Sequence, residues 1–244
     1  MKHRNNFLVT RELKLADVIL GNPYLMLMIE HLGLSLAVKE KTVEQVCMEK
    51  NISVDLFLSF ANLFNGEVPS GKAEYSFNDI QTIIGYLQKE HQYYLDEMYP
   101  NILAYIDSMY EMNDHAEILM VGKFFNEYFD EVKEHLNYEN DVVFPYIINL
   151  YNKLNKTEIN NFPLNYSASE YQEHHGNIEE KLTDLKNLLI KYLPQKNDQK
   201  IRRKMLFSLF ELEYDLNIHT QIENSILLPL VKHMEKHLKM KNEK

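Results

Sequence analysis

The chain has 244 residues with only seven Gly and seven Pro, and its 26 basic and 36 acidic side chains give a formal net charge of −10. Sandwiches, barrels and propellers need a turn about every 8–12 residues, so the shortage of Gly and Pro argues against an all-β fold. An acidic surface repels phosphate, which disfavours nucleic acid and anionic membranes as partners. Long helices with few turns are therefore expected.

The apolar runs and the cysteine count bear on the compartment and on the kind of metal site. No apolar run approaches the roughly 20 residues of a membrane span, and the first residues lead into no signal-type apolar stretch. The single Cys47 cannot form an internal disulfide, which fits a cytoplasmic protein. One thiol also excludes thiolate-only zinc or iron–sulfur sites within one chain, so a metal here must be held by His and carboxylate.

The first part of the chain predicts a small helical domain. Residues 12–65 divide into four short helical pieces, and a capping box formed by Thr42 and Gln45 starts the third of them. Residues 66–72 collect two Gly, a Pro and a Ser, and we place a domain boundary there. The two predicted domains are residues 1–72 and residues 73–244.

From about residue 77 onward the pattern predicts long helices. Apolar residues recur at three- and four-residue spacing in four runs, and polar breaks separate these runs. The runs cover residues 77–111, 114–153, 167–193 and 200–240. Four long amphipathic helices joined by short breaks predict an all-α, up-down-up-down four-helix bundle, preceded by the small helical N-terminal domain.

An internal repeat relates the two halves of the predicted bundle. The second and fourth long helices each contain a His-x-x-x-Glu motif followed by Asn and Pro in the same register, and the two copies lie 84 residues apart. The first and third long helices each contain a His that is related to the other by the same offset. The residues concerned are His91, His135, Glu139, His175, His219 and Glu223.

Helical geometry gives this repeat a chemical meaning. His and Glu four residues apart lie on one face of a helix, so both side chains can reach a common object. Apolar residues in the turns before His135 and His219 place this face in the stripe that lines the bundle core. Buried imidazole and carboxylate are costly unless they are paired or bound to a cation. A single motif would fit a surface or hydrogen-bonded His equally well, but the matched set predicts a metal site.

The composition of the ligand set indicates the metal. Four His and two Glu exceed the four ligands of a structural zinc site. Mixed imidazole and carboxylate ligands in a bundle core suit a two-metal iron centre. Ferritin-like centres use Glu-x-x-His motifs, whose order and spacing this chain lacks.

The order of these motifs, with Pro six residues after each Glu, resembles the hemerythrin-like superfamily and, more narrowly, the repair-of-iron-centres family of di-iron proteins. The segment from His91 to Pro100 is similar to that family's first helix, and the likeness covers nearly the whole chain. The resemblance implies two non-haem iron ions, Fe2+ or Fe3+, bridged by an oxo group and by two Glu, with two His on each iron. The implied ligands are His91, His135, Glu139, His175, His219 and Glu223, with His174 as the alternative to its neighbour.

The resemblance also implies a role for the protein. That role is the handling of iron, nitric oxide or oxygen under nitrosative or oxidative stress, with a diatomic ligand bound at the di-iron centre. The partners implied downstream are proteins with damaged iron–sulfur clusters. Whether the protein is an enzyme and whether it forms a homodimer are both left open.

Departures from the related patterns leave other functions open. Oxygen-carrying hemerythrins place a further His where this chain has Glu179, so a reversible oxygen carrier is the weaker interpretation. The paired cysteines of the family's N-terminal signature are absent, and Cys47 is interpreted as a small packing residue. The alternatives are an oxygen or nitric-oxide sensor without repair activity and a metal-free helical interaction protein. His233 and His237 have metal-ligand spacing, but their lysine-rich surroundings favour a solvated helix end.

Overall fold

The structure is a computed structural model that describes residues 7–67, 75–113, 116–155, 166–174 and 180–242. Throughout these ranges the regular structure is helical, apart from one isolated antiparallel bridge between Lys14 and Thr42. The prediction of an all-α helical bundle is confirmed, whereas its up-down-up-down order stays a prediction. Among the described helices, none combines the length and the apolar character that crossing a membrane requires.

The chain forms two compact units. The first contains Met1–Lys89, Pro145–Ala168 and Thr220–Lys244, and the second contains Glu90–Phe144 and Ser169–His219. The predicted domain boundary falls largely in residues 68–74, which lie outside the described residues. The division into domains at residue 72 therefore stays a prediction.

The first unit begins with the four short helices that the N-terminal pattern predicts. The predicted capping box is present at the start of the third, where the Gln45 N–H donates to the Thr42 hydroxyl at 3.2 Å and the Thr42 N–H donates to the Gln45 side-chain oxygen at 3.0 Å. Phe57 and Phe60 of the fourth helix are fully buried. The helices are α1 (Leu15–Gly21), α2 (Leu25–His31), α3 (Val43–Lys50) and α4 (Val54–Phe64).

Wherever the structure describes them, the four predicted long runs are helical, and their outer limits match the predicted ones to within two residues. Each of them contains a π turn. The first is α5 (Asp79–Tyr93), a π turn (Tyr94–Met98) and α6 (Tyr99–Asn113); the second is α7 (Ala116–Tyr138), a π turn (Glu139–Val143) and α8 (Phe144–Asn155). The third is α9 (Ala168–His174), α10 (Glu180–Asn187) and a π turn (Leu188–Tyr192); the fourth is α11 (Gln199–Ile222), a π turn (Glu223–Leu227) and α12 (Leu228–Asn242).

All four π turns end two residues before a proline, and the proline accounts for the three at which the helix continues beyond it. A helical Pro has no N–H to donate to the carbonyl four residues earlier, and its ring crowds that carbonyl. The wider π turn is closed by a hydrogen bond across five residues, as from the Phe144 N–H to the Glu139 carbonyl, and accommodates this crowding. The prolines concerned are Pro100, Pro145 and Pro229.

A buried arginine ties the end of the third long run to α11. The Arg202 guanidinium donates to the carbonyls of Leu189, Leu193 and Pro194 at 2.8–3.0 Å. It also pairs with the Asp198 carboxylate at 2.6 Å. These bonds satisfy carbonyls at a helix end that have no partner within the helix, so Arg202 holds this end of the second unit together.

Candidate metal centre

Predicted ligands from three helices come together within the second unit. His91 lies near the end of α5, Glu139 at the junction of α7 with its π turn, and His219 near the end of α11. A ring nitrogen of each His and a carboxylate oxygen of this Glu all lie within 4.8 Å of one another. His135 lies one turn before Glu139 on α7, as the i,i+4 spacing predicts.

The Glu139 carboxylate is the centre of the group because its two oxygens face different histidines. Oε2 lies 3.4 Å from His91 Nε2 and 4.0 Å from His219 Nε2. Oε1 lies 3.3 Å from His135 Nε2 and accepts a long hydrogen bond of 3.5 Å from the Tyr171 hydroxyl. One carboxylate therefore faces three histidines from three helices, which is the arrangement that a bridging ligand requires.

The group is enclosed by apolar side chains. The side chains of His91, Glu139 and His219 are each 1% exposed, and the side chain of His135 is 13% exposed. The Phe144 ring stacks on the His91 ring with 5.5 Å between the centroids. Leu216, one turn before His219, is fully buried, as the predicted apolar stripe requires. Such an interior has a low dielectric, so charges within it interact strongly.

Glu90 is a candidate site residue that was not predicted from the sequence. Its carboxylate lies 2.9 Å from His219 Nδ1, and both side chains are buried. A carboxylate on one ring nitrogen fixes the proton there and leaves the other nitrogen for a metal. Its position in the sequence could have identified it. Glu90 follows Ile83 and Leu87 in the buried stripe of α5, where a charged residue is unexpected.

Asp215 is a second missed carboxylate, one turn before His219 on α11. The Tyr94 hydroxyl donates to its Oδ2 at 2.9 Å, and the Tyr94 ring stands edge-on to the His219 ring at 6.1 Å. Burial raises the pKa of the Asp215 carboxyl well above its ordinary value, and the charge of Glu90 adds to this rise. The Tyr94 hydroxyl is therefore directed to Asp215.

The donor chemistry of the group fits a cation. The Glu90, Glu139 and Asp215 carboxylates are each exposed by 1% or less. Burying several carboxylates is costly unless their charge is compensated, and a cation between Glu139 and the histidines would provide that compensation. Imidazole and carboxylate together are ligands for several first-row metals, iron among them.

Glu223 and His175, two further predicted ligands, are not among the residues described above. Glu223 is fully buried at the start of its π turn and belongs to the first unit. His175 lies outside the described residues, and the side chain of His174, the last residue of α9, does as well. The assignment of all six residues as ligands therefore stays a prediction.

The structure also describes Cys47 and the helix end that contains His233 and His237. Cys47 is a fully buried packing residue, as predicted. Burial raises the pKa of its thiol to about 12, with a further contribution from the charge of Glu44. His233 is exposed on α12, and both His233 and His237 have their rings edge-on to Phe77.

Comparison with known proteins gives one informative similarity. No known family model matches the chain. The chain is similar to the iron-sulfur cluster repair protein ScdA of Staphylococcus haemolyticus (strain JCSC1435), with 21% identity over 194 residues. The aligned stretch covers 76% of this chain and 82% of that protein. This distant similarity agrees with the resemblance seen in the His and Glu motifs.

Proposed function

We propose that this protein is a non-haem di-iron protein of the iron–sulfur cluster repair type, which handles iron, nitric oxide or oxygen under nitrosative or oxidative stress. The observation that carries the proposal is the buried Glu139 carboxylate facing three histidines. The printed name of the similar protein supports the repair role. The proposed ligands are His91, His135, Glu139, His175, His219 and Glu223, with His174 as the alternative in the third helix.

The residues of the chain prepare this site in two ways. Apolar neighbours such as Phe144 and Leu216 exclude water from the ligand atoms. Glu90 and Tyr171 hydrogen-bond to His219 and Glu139, and these bonds fix the orientation of the two ligands. Two irons would supply reversible Fe2+/Fe3+ chemistry and an open position for a diatomic ligand when bound.

Metal content tests the di-iron part of the proposal. The full chain purified without added metal should contain about two irons per chain, the number that a carboxylate-bridged pair requires. The variants His135→Ala and Glu139→Ala should each lose iron, because each removes a proposed ligand. His233→Ala, which removes an exposed His on α12, should retain it. A wild-type chain that takes up no Fe2+ would contradict the proposal.

The burial of the single thiol favours a second candidate function. Cys47 is the chain's single cysteine, it is fully buried, and burial raises its pKa to about 12. Thiol chemistry is therefore not accessible at neutral pH. A sensor or binding module for nitric oxide or oxygen would need only the metal centre and no thiol.

Reactivation of a damaged enzyme separates the two functions. Aconitase inactivated by nitric oxide would be mixed with the iron-loaded chain, and its activity followed over time. A repair protein restores the activity, and its His135→Ala variant does not. If the loaded chain binds nitric oxide but restores no aconitase activity, the sensor is the better description.

A further inference from the structure

Residues 185–210 form a basic and apolar surface on the second unit, and we infer that this surface docks on the anionic headgroups of a lipid membrane. The basic–apolar surface comprises the exposed side chains of the π turn Leu188–Tyr192, of the loop that follows it and of the first three turns of α11. It contains none of the proposed metal ligands, so its role is separate from the proposed function.

Positive charge is concentrated in this segment. It contains seven basic side chains and one acidic side chain, within a chain whose formal net charge is −10. Arg202 pairs with Asp198 and Lys186 pairs with Glu213, so the charges of these two cations are compensated. The five other cations are exposed to solvent: Lys191, Lys196, Lys200, Arg203 and Lys204. Exposed charges more than about 8 Å away are screened at physiological salt, so a membrane meets the local positive charge rather than the net charge of the chain.

Large apolar side chains lie among these cations. Tyr192 is 73% exposed, Ile190 is 58% exposed, and Phe207 and Phe210 are 56% and 45% exposed. Exposed apolar groups that polar residues surround mark sites of interaction with proteins or membranes. The segment therefore combines electrostatic attraction with apolar groups that gain by leaving water.

Contacts between the third and fourth long runs bring these side chains to one surface. The Lys186 ammonium lies 4.7 Å from the centroid of the Phe210 ring, and the Arg202 guanidinium donates to the Leu189 carbonyl at 3.0 Å. The residues that follow Lys186 therefore lie beside the residues that precede Phe210, as in two antiparallel helices. The exposed side chains of the π turn and of α11 consequently share one surface.

The exposed face of α11 continues this surface along the helix. Lys200, Arg203, Phe207 and Phe210 follow one another at spacings of three or four residues, which places them on one helical face. Arg202 hydrogen-bonds to two carbonyls of the loop before α11 and holds this loop in place. A surface that is fixed before binding loses little conformational entropy when it docks.

The composition of the surface favours a membrane over a protein or a nucleic acid. Four of the five exposed cations are Lys, which protein–protein interfaces contain less often than the rest of a protein surface. Clusters of four to eight Lys and Arg beside apolar side chains are typical of segments that bind anionic lipids. A single-stranded nucleic acid would stack on aromatic rings but would leave the aliphatic Ile190 in water. In a membrane, lipid phosphates neutralise the cations while Ile190 and Tyr192 enter the boundary with the acyl chains.

Sedimentation with lipid vesicles tests this docking. The full chain is mixed with sucrose-loaded vesicles of phosphatidylcholine, either alone or with about one-third phosphatidylglycerol, and the bound fraction is measured in the pellet. The chain should bind the vesicles that contain phosphatidylglycerol and should bind the neutral vesicles far less. Binding should weaken as the salt concentration rises, because salt screens the cations from the lipid phosphates.

Two double variants separate the charged from the apolar contribution. Lys200→Gln with Arg203→Gln should weaken binding to the anionic vesicles about 25-fold, since each cation near the membrane surface contributes about fivefold. Ile190→Ser with Tyr192→Ser retains every charge and should weaken binding at least about tenfold, because it removes the groups that enter the acyl boundary.

A matched control removes charge elsewhere. Lys50→Gln with Lys123→Gln neutralises two exposed lysines outside the basic–apolar surface and should bind the vesicles as the wild type does. Every substituted side chain is exposed, so all variants should unfold in urea like the wild type. Single-stranded DNA at the same phosphate concentration should displace little of the bound wild-type chain.

The outcomes are decisive for the surface alone. A wild-type chain that does not sediment with the anionic vesicles would overturn the inference. Full binding by the serine variant, or an equal loss in the Lys50 and Lys123 control, would show attraction by charge alone and would overturn it as well. Displacement by single-stranded DNA would assign the surface to nucleic acid instead. Each of these outcomes leaves the proposed metal centre intact, because no proposed ligand is changed.

Discussion

Among single residues, Cys47 and Arg202 illustrate how burial changes what a polar or reactive side chain does. The Cys47 thiol is fully enclosed in the first unit and acts as a small apolar group. In the second unit, Asp198 and three carbonyls accept hydrogen bonds from the buried Arg202 guanidinium. The reactivity of Cys47 and the contribution of Arg202 to stability can both be measured without any bound metal.

The Cys47 thiol should be unreactive in the folded protein. With a pKa of about 12, the thiol stays protonated as the pH rises from 7 to 9, and at pH 9 about one thiol in a thousand is ionised. Reaction with a disulfide reagent such as DTNB should therefore be slow throughout this range, and its rate should still be rising about tenfold with each pH unit at pH 9. One thiol should react fully after unfolding in guanidinium. Rapid labelling of the native chain would contradict the burial of Cys47.

Arg202→Met should destabilise the fold strongly. The substitution leaves the fully buried Asp198 carboxylate without its partner, and breaking a buried pair in this way costs about 3–5 kcal/mol. Urea unfolding measures the free energy, and Arg203→Met on the exposed side of the same helix is the control. The double variant Arg202→Met with Asp198→Asn should recover part of the loss. A single variant as stable as the control would show that the pair contributes nothing.

At the level of secondary-structure elements, the sequence predicted the long helices well and the π turns not at all. The helical runs follow from apolar spacing near 3.6 residues, which burial enforces along the whole element. A π turn adds one residue locally and shifts that spacing, and Pro145 alone does not indicate whether the helix kinks, ends or widens. Glu90 and Asp215 were missed for a related reason, because a charged residue in an apolar stripe is usually taken as a break in the pattern.

The capping box of α3 gives a prediction at this scale. Thr42→Ala removes the hydroxyl that accepts the Gln45 N–H, and the loss of such a cap costs about 1 kcal/mol in the free energy of unfolding. Thr42→Ser retains the hydroxyl and should keep most of the stability. Equal stability of the alanine and serine variants in urea would show that the cap does not contribute.

For the molecule as a whole, both the predicted site and the negative net charge lead us to expect that a bound metal ion stabilises the fold. The chain carries a formal charge of −10, and several carboxylates of the second unit are buried near one another. The sequence located the six candidate ligands through the 84-residue repeat, because a repeat compares distant parts of the chain. It could not indicate the pairing of Glu90 with His219, since that contact depends on packing between helices.

Removal of metal should lower the stability of the entire protein. A ligand that binds only the native state stabilises it by about 2.7 kcal/mol at a free concentration 100 times its Kd. Thermal unfolding with excess chelator should therefore give a lower Tm than unfolding with Fe2+ under anaerobic conditions. Readdition of Fe2+ should restore the Tm of the wild type and of His233→Ala, and Glu139→Ala should respond much less. An identical Tm in chelator and in Fe2+ would contradict metal binding to the native chain.

The π turn at Glu139–Val143 has a consequence for changes of chain length. The π turn fits one residue more than an α turn into nearly the same rotation, so deleting one residue within it would restore ordinary α spacing. The downstream residues, Phe144 against His91 among them, would then keep nearly the same face of the helix. A change of one residue in chain length is therefore easier to accommodate at this turn than elsewhere along the helix, where it would rotate the downstream residues by about 100°.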